Sequence, residues 1–204
     1  RDNLPGLEFR RVLFRSLVLA FAIGLLTALC RLSGAFTAQA LARFYLETSR
    51  NTPLLIQLFF IYFVVGPVLG LSRFPSAVLA LSLFEGAYAS EIFRAGIVSI
   101  PRGQWEAGYS LGLSTFHTYR TIILPQAIRR ILPPLTSQAI SLIKDSALVS
   151  TIAIYDLTMQ AQAIISETFL TFELWFTVAA MYLVVTITLS IVVNRMERRF
   201  RVAA

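Results

Sequence analysis

The chain has 204 residues, 56% of them hydrophobic and only 14% charged, with a mean hydropathy of +0.71. Soluble domains carry about a quarter of their residues as charges, so this composition excludes an ordinary soluble domain and points to an integral membrane bundle. The net charge of +7 is then read from its placement against a bilayer, not as a nucleic-acid footprint, and a lone Cys30 excludes an internal disulfide and a cysteine metal site.

The first sixteen residues stand apart. Leu7 to Ser16 read Leu-Glu-Phe-Arg-Arg-Val-Leu-Phe-Arg-Ser, which looks like a translated sequencing adaptor. Residues 1–16 are therefore expected to be a non-native segment, kept out of fold reasoning, with residues 17–204 as a single transmembrane domain. The apolar run that follows, Leu17 to Cys30, spans about 21 Å as a helix against a hydrocarbon core of about 30 Å. On this reading, part of the native first span is missing.

Five apolar segments follow in order. The first is the shortened one, Leu17 to Leu32. Phe36 to Arg50 is mixed, with Arg43, Glu47 and Arg50, and predicts an interfacial helix. Asn51-Thr52-Pro53 opens a second span that stays uncharged to Ser72, and Gly66-Pro67 is expected to bend or end it. A third span runs from Ala77 to Ile97. A fourth, Ile131 to Tyr155, is expected to be broken by Pro133-Pro134 and carries Lys144-Asp145. Asp156 to Thr171 reads as a polar connection, and Leu174 to Asn194 as a fifth span. The architecture expected is all-α: an integral membrane helical bundle of about five transmembrane helices.

Between the third and fourth spans lies a helical elbow, within about 98–130. Pro101 suits a first helical turn, Gly112 a position just past a helix end, and Ser114 an N-cap. Phe116, Tyr119 and Ile123 recur at helical spacing, and Pro125 is expected to close that second helix by withholding a donor. Basic residues alternate between loops. Arg31, Arg43 and Arg50 follow the first span and Arg73 alone follows the second. Arg94, Arg102, Arg120, Arg129 and Arg130 flank the elbow, and Arg195, Arg198, Arg199 and Arg201 lie in the tail. The positive-inside rule then puts the elbow and carboxyl terminus in the cytoplasm and the amino terminus outside, where the four early arginines look foreign.

Within the elbow, Glu106, Ala107, Gly108, three residues, Gly112, nine residues, then Ile122, Leu124 and Pro125 resemble the EAA loop of bacterial ABC importer membrane subunits. Gly108 stands where that pattern has alanine, at some cost in helix propensity. The resemblance continues in Arg50 to Phe59, in Gly86-Ala87-Tyr88 with Glu91 to Ile97, and in Ser141 to Leu148, which are similar to the second, third and fourth spans of polar amino-acid permeases of the histidine/glutamine type. It implies a MetI-like fold with a cytoplasmic helix-turn-helix coupling loop. It also implies a multi-pass place in the bacterial inner membrane, and import of amino acids. The implied partners are a separate ABC ATPase that holds ATP and Mg, a second identical or related permease subunit, and an extracytoplasmic solute-binding protein. Glu106 is expected to fix the ATPase contact. The chain has no glycine-rich phosphate loop, so no enzyme activity or cofactor is expected in it.

Polar residues inside spans are costly and mark function. Gln138, Ser141 and Asp145 share one face of the fourth span, which lines a polar route or holds a structural network. Gln138 and Asp145 are substrate candidates, with Asp145 meeting an ammonium. Lys144 and Asp145 stand about 100° apart around a helix and cannot neutralise each other face to face. Glu85 either selects a cationic or polar substrate or bonds between helices. Gln57 faces the pathway or a neighbouring helix. Glu91 and Arg94 are expected to pair. His117 has no companion ligand and reads as a solvated or contact residue. The alternative function is a self-contained secondary transporter or channel with intramembrane acids as proton sites; it leaves the elbow unexplained.

Overall fold

The computed structural model describes residues 5–200; residues 1–4 of the expected non-native segment lie outside the described residues. Eight helical stretches make up the described chain, and they are numbered here in chain order. They are α1 (Pro5–Leu32), α2 (Phe36–Arg50), α3 (Leu54–Leu69), α4 (Arg73–Val98), α5 (Arg102–Ser110), α6 (Thr115–Ile152), α7 (Leu157–Thr168) and α8 (Thr171–Phe200). Three of them, α1, α4 and α8, are individually long and apolar enough to cross a membrane. The bent pairs α2–α3 and α6–α7 raise the count to five if each is one crossing.

Helix α4 is the hub. Its most apolar stretch is 61% buried, against 28% for α1 and 11% for α8. The reason is its run of small residues: Ala77, Ala80, Ser82, Gly86, Ala87, Ala89 and Ser90 are all buried. In lipid, helices gain little from hiding apolar surface from one another, so close van der Waals approach decides which faces pair. Against α4 lies α1, running parallel, with Gly24 at the crossing. A Cβ at Gly24 would sit 2.7 Å from the Ala89 Cβ and 3.0 Å from the Gly86 carbonyl. Gly86 in turn faces Ala20, Ile23 and the Tyr45 hydroxyl. Helix α1 begins at Pro5, so most of the adaptor-like stretch continues the helix, with Val12 and Ser16 fully buried.

The second crossing has a sharp entry. Helix α2 is tied to its neighbours by Gln39, which bonds the Ser33 carbonyl beside the end of α1, and by the Tyr45 hydroxyl, which donates to the Leu83 carbonyl of α4 at 2.5 Å. The chain turns through 107° at Asn51-Thr52-Pro53 into α3, so α2 runs nearly across the direction of that helix, as the interfacial reading expected. The turn frees carbonyls that must be satisfied within the protein. Gln57 does this, its Nε2 donating to Ser49 (2.7 Å) and Thr52 (2.9 Å).

Prolines were expected to stop, break or bend helices, with mixed outcome. Gly66-Pro67 stands where expected, near the end of α3, which stops two residues past Pro67 with Gly70 in the left-handed region (φ 67°); at the other prolines the helix runs on. Pro125 lies inside α6, and so do Pro133 and Pro134. Pro67 and Pro125 are each preceded by one wide π-helical turn, Phe60–Val65 and Tyr119–Ile123, in which Gly66 N reaches back to Ile61 O and Leu124 N to Tyr119 O. A proline ring clashes with the carbonyl four residues back, here Phe63 or Thr121; a wide turn ending just before the ring relieves that clash and the helix continues. The bend in α6–α7, 48°, comes instead after Ile152. Ala153 takes φ 59° there, its carbonyl held by Arg73 Nη1 at 2.9 Å. The expected polar connection after it is mostly the helix α7, capped by Asp156 Oδ1, which accepts from Met159 N at 2.8 Å.

Two apolar clusters hold the bundle. One gathers Leu54, Leu58, Leu81, Leu142 and Ile152 toward the Arg73 end of α4; the other gathers Ala89, Ile97, Ile123, Ile131 and Leu135 toward the elbow. Gly24→Val should force α1 off α4 and destabilise the protein by about 1–3 kcal/mol. Thermal unfolding of the purified protein in detergent should show the loss, while Gly34→Ala, where nothing lies within 4 Å, should leave the midpoint unchanged.

Candidate coupling elbow and intramembrane polar cluster

The elbow is built from α5, a tight turn and the first turns of α6. Leu111 ends α5 and Gly112 follows at φ 72°, with Leu113 N bonded to Gly108 O at 3.1 Å and Gly112 N to Tyr109 O at 2.9 Å. Nothing approaches the place of a Cβ at Gly112, so this glycine serves the turn and not a close contact. Ser114 then caps α6 as expected: its Oγ accepts from His117 N at 3.4 Å and lies 2.8 Å from His117 Nδ1.

The two arms are locked together. Trp105 meets Tyr119 edge-on at 4.6 Å between ring centroids, and Gln126 Nε2 donates to Gln104 Oε1 at 3.0 Å. Gly108 lies buried on Thr118: a Cβ there would come within 2.7 Å of Thr118 Cγ2 and 2.9 Å of its Oγ1. The departure from alanine at this position thus has a physical reason, because a branched, fully buried threonine fills the space a methyl would need. At the root, Arg130 Nη1 donates to the Ser99 carbonyl and hydroxyl, which ties the end of α4 to α6. Outward, the elbow leaves Glu106, Ala107, Leu111, Phe116, Leu124 and Pro125 exposed, with Leu111 at 78% and Phe116 at 67%; Ile122 is half-buried and packs on the core beneath. The elbow thus combines a locked interior with an exposed rim of apolar side chains, one carboxylate, Glu106, and the guanidiniums of Arg102, Arg120 and Arg129.

The second constellation lies between the two apolar clusters. On α4, Glu85 falls midway between Leu81 and Ala89; on α6, Gln138 falls midway between Leu142 and Leu135. They meet: Gln138 Nε2 donates to Glu85 Oε2. Glu85 is 2% exposed and its Oε1 has no hydrogen-bond partner among the described residues; Asp145 and Lys144 are its charged neighbours. Three of the four substrate candidates, Glu85, Gln138 and Asp145, therefore come together. Gln57 does not join them, because its amide serves the bend between α2 and α3. Glu91 pairs with Arg94 as expected, and also with Arg31, which binds the foot of α1 to α4. The sequence reading missed Thr118 and the Arg130–Ser99 tie. It also missed the stacking of Arg50, whose guanidinium carbon lies 5.5 Å from the centroid of Tyr88. Only the unusual glycine at 108 signalled the first of these.

A helical membrane bundle with a rigid elbow continuous with two adjoining spans, and a polar layer across their middle, defines the membrane subunit of a transporter worked from outside itself. The family described as binding-protein-dependent transport system inner membrane component matches residues 20–202, and the chain belongs to that family, as a permease subunit of an ABC importer. It is 42% identical over 183 residues to the glutamine transport system permease protein GlnP of Escherichia coli K12, covering 88% of this chain and 84% of that protein. It is 41% identical over 186 residues to the L-cystine transport system permease protein TcyB of Bacillus subtilis, covering 90% and 80%. Among solved structures, an amino acid ABC transporter with histidines superposes with a TM-score of 0.87 at 39% identity, covering 94% of this chain and 90% of the other. An inward-facing MetNI methionine ABC transporter gives 0.78 at 19%, covering 96% and 94%, a likeness of fold alone.

Gly108→Ala, which restores the common motif residue, should destabilise the elbow by about 1–3 kcal/mol through overpacking on Thr118. Adding Thr118→Ala should recover most of that loss, since it removes both clashing atoms and a buried hydroxyl that has no partner. Limited proteolysis of the 110–115 turn and thermal unfolding of both variants read the coupling.

Proposed function

We propose that this chain is the amino-acid-conducting subunit of an ATP-driven importer. The elbow faces the cytoplasm and sits in a groove of a separate ATPase, which holds the ATP and Mg. A second permease subunit, identical or closely related, completes the pathway. A solute-binding protein delivers a polar amino acid from the other side. The observation that carries this reading is the elbow: its interior contacts bind α4 and α6 into one piece, while Glu106, Leu111 and Phe116 stand outward, exposed. Motion imposed on that rim passes directly to the two helices that carry Glu85 and Gln138.

The chemistry of the polar layer supports an amino acid as cargo. A buried carboxyl beside an amide and a second carboxyl attracts an ammonium, and a low-dielectric surrounding strengthens that attraction. The names of the relatives, glutamine and L-cystine permeases, agree with a polar amino acid. The positive loops at the elbow side support a cytoplasmic elbow and carboxyl terminus in a bacterial inner membrane.

Glu106→Lys should abolish ATP-driven uptake and release the ATPase from the purified complex, while the protein still inserts and its thermal unfolding is unchanged; co-purification and proteoliposome uptake test this together. Asp145→Asn should raise the substrate concentration for half-maximal uptake by about tenfold, the loss of one charge-assisted contact. Unchanged uptake kinetics would remove Asp145 from the pathway.

A further inference from the structure

The elbow joins its two spans unequally. On one side, α6 runs unbroken from Thr115 to Ile152. On the other, α4 ends at Val98, α5 begins at Arg102, and residues 99–101 lie outside any helix. A displacement of the elbow therefore reaches α6 along a continuous helix, and reaches α4 only across a short link that no helix stiffens. Ile100 is buried and seats that link in the elbow-side cluster. Apolar packing is non-directional, so it does not by itself fix the angle between α4 and α5.

One directional contact spans the link. Arg130 Nη1 donates to the Ser99 carbonyl at 2.5 Å and to its hydroxyl at 3.1 Å, across a separation of 31 residues. The Ser99 hydroxyl donates in turn to the Gly96 carbonyl at 2.8 Å. Beside this tie, the same two helices meet closely: a Cβ at Gly96 would collide with Cγ1 of Ile131, itself buried in the elbow-side cluster. The last turn of α4 is thus held by two consecutive residues of α6, Arg130 through charge and Ile131 through shape. No carboxylate competes for Arg130 among the described residues, since Glu91 is engaged by Arg31 and Arg94. A guanidinium on a carbonyl is a charge-assisted bond, stronger than a neutral one.

We propose that Arg130 is a positioning residue for transport: its tie to Ser99 makes α4 follow the elbow together with α6, so that Glu85 and Gln138 move as a pair. It rests on the ATP-driven reading above and extends it from the surface the ATPase holds to the contact that distributes the motion. The motif that marked the elbow ends at Pro125, and Arg130 lies beyond it. Without the tie α6 moves and α4 lags, so that ATP is hydrolysed without import.

The test uses the complete complex with its ATPase and binding protein in proteoliposomes, and reads the ATP hydrolysed per L-glutamine or L-cystine imported. Arg130→Gln should raise that ratio about tenfold, the worth of one charge-assisted hydrogen bond, while the ATPase still co-purifies. Arg130→Lys, whose ammonium still donates to the carbonyl, should recover most of the coupling. Ser99→Ala, which removes only the hydroxyl, should raise the ratio less than Arg130→Gln does. A merely structural loss would lower hydrolysis and import together and leave the ratio alone.

A covalent substitute serves where the point variants fold poorly. On a Cys30→Ser background, which removes the exposed native thiol, Ser99→Cys with Arg130→Cys should be uncoupled. A short bis-methanethiosulfonate, forming a disulfide with each thiol and releasing methanesulfinate, should restore the original ratio until a reductant cuts it. An unchanged ratio in Arg130→Gln, or no recovery on bridging, overturns the proposal. So does loss of the ATPase from the Arg130→Gln complex, which would place Arg130 in the ATPase contact instead. If the unmodified complex imports neither amino acid, the amino-acid reading fails and takes this assignment with it. Import by that complex with unaltered coupling in Arg130→Gln removes the tie alone.

Discussion

The arrangement depends on how closely α1 and α4 approach. With lipid on the outside there is no solvent to drive apolar faces together, so the bundle is held by surfaces that can touch along their backbones. Gly24 against Ala89 and Gly86 supplies that contact, and the Arg31–Glu91–Arg94 group fixes the same pair of helices near the elbow. Once α4 is centred in this way, its remaining faces dictate the rest. Glu85 points to α6, Leu83 offers a carbonyl to Tyr45, and the end at Ser99 is left for Arg130.

Placing the polar layer between two apolar clusters has a mechanical side. Glu85 and Gln138 sit on the two helices that leave the bundle for the elbow, and the cluster below them contains residues from the elbow itself, Ile123 and Ala127 among them. The core nearest the elbow therefore belongs both to the elbow and to the spans, a continuity of packing with no loose hinge between them. The same continuity explains why Gly108 and Thr118 must fit each other: slack between the arms would let one move without the other.

Much of this was legible in the chain. The elbow's spacing, its Gly112 turn, the Ser114 cap, the third span and the shared face of Gln138 and Asp145 follow from periodicity, turn chemistry and the rarity of charge in apolar stretches; that Glu85 bonds to another helix was one of two readings, and its partner Gln138 was not named. Three things were not. Proline was read as a stop at Pro125 and a break at Pro133-Pro134, yet in both places the helix runs on, whereas at Gly66-Pro67 it ends within two residues as read; local rules do not see the wide turns that accommodate two of the rings. The sharpness of the 107° turn between α2 and α3, with Ala42, Leu46 and Ser49 of α2 packed inward, was not foreseen. Such an angle is a tertiary outcome that composition does not encode. Gln57 was read as facing the pathway or a neighbouring helix, because a lone polar side chain in an apolar span has many possible partners; those it takes are the carbonyls of Ser49 and Thr52, exposed by the turn before it.

The wide turn ahead of Pro125 carries one more implication. A π-helical turn holds an extra residue, and if it relaxed to the regular form, everything beyond it would swivel by about 100° about the helix axis. Pro125 disfavours that relaxation, since a regular turn would press its ring toward the Thr121 carbonyl. The angular setting of every side chain beyond the elbow, Gln138 included, thus hangs on one surplus residue and the ring that follows it.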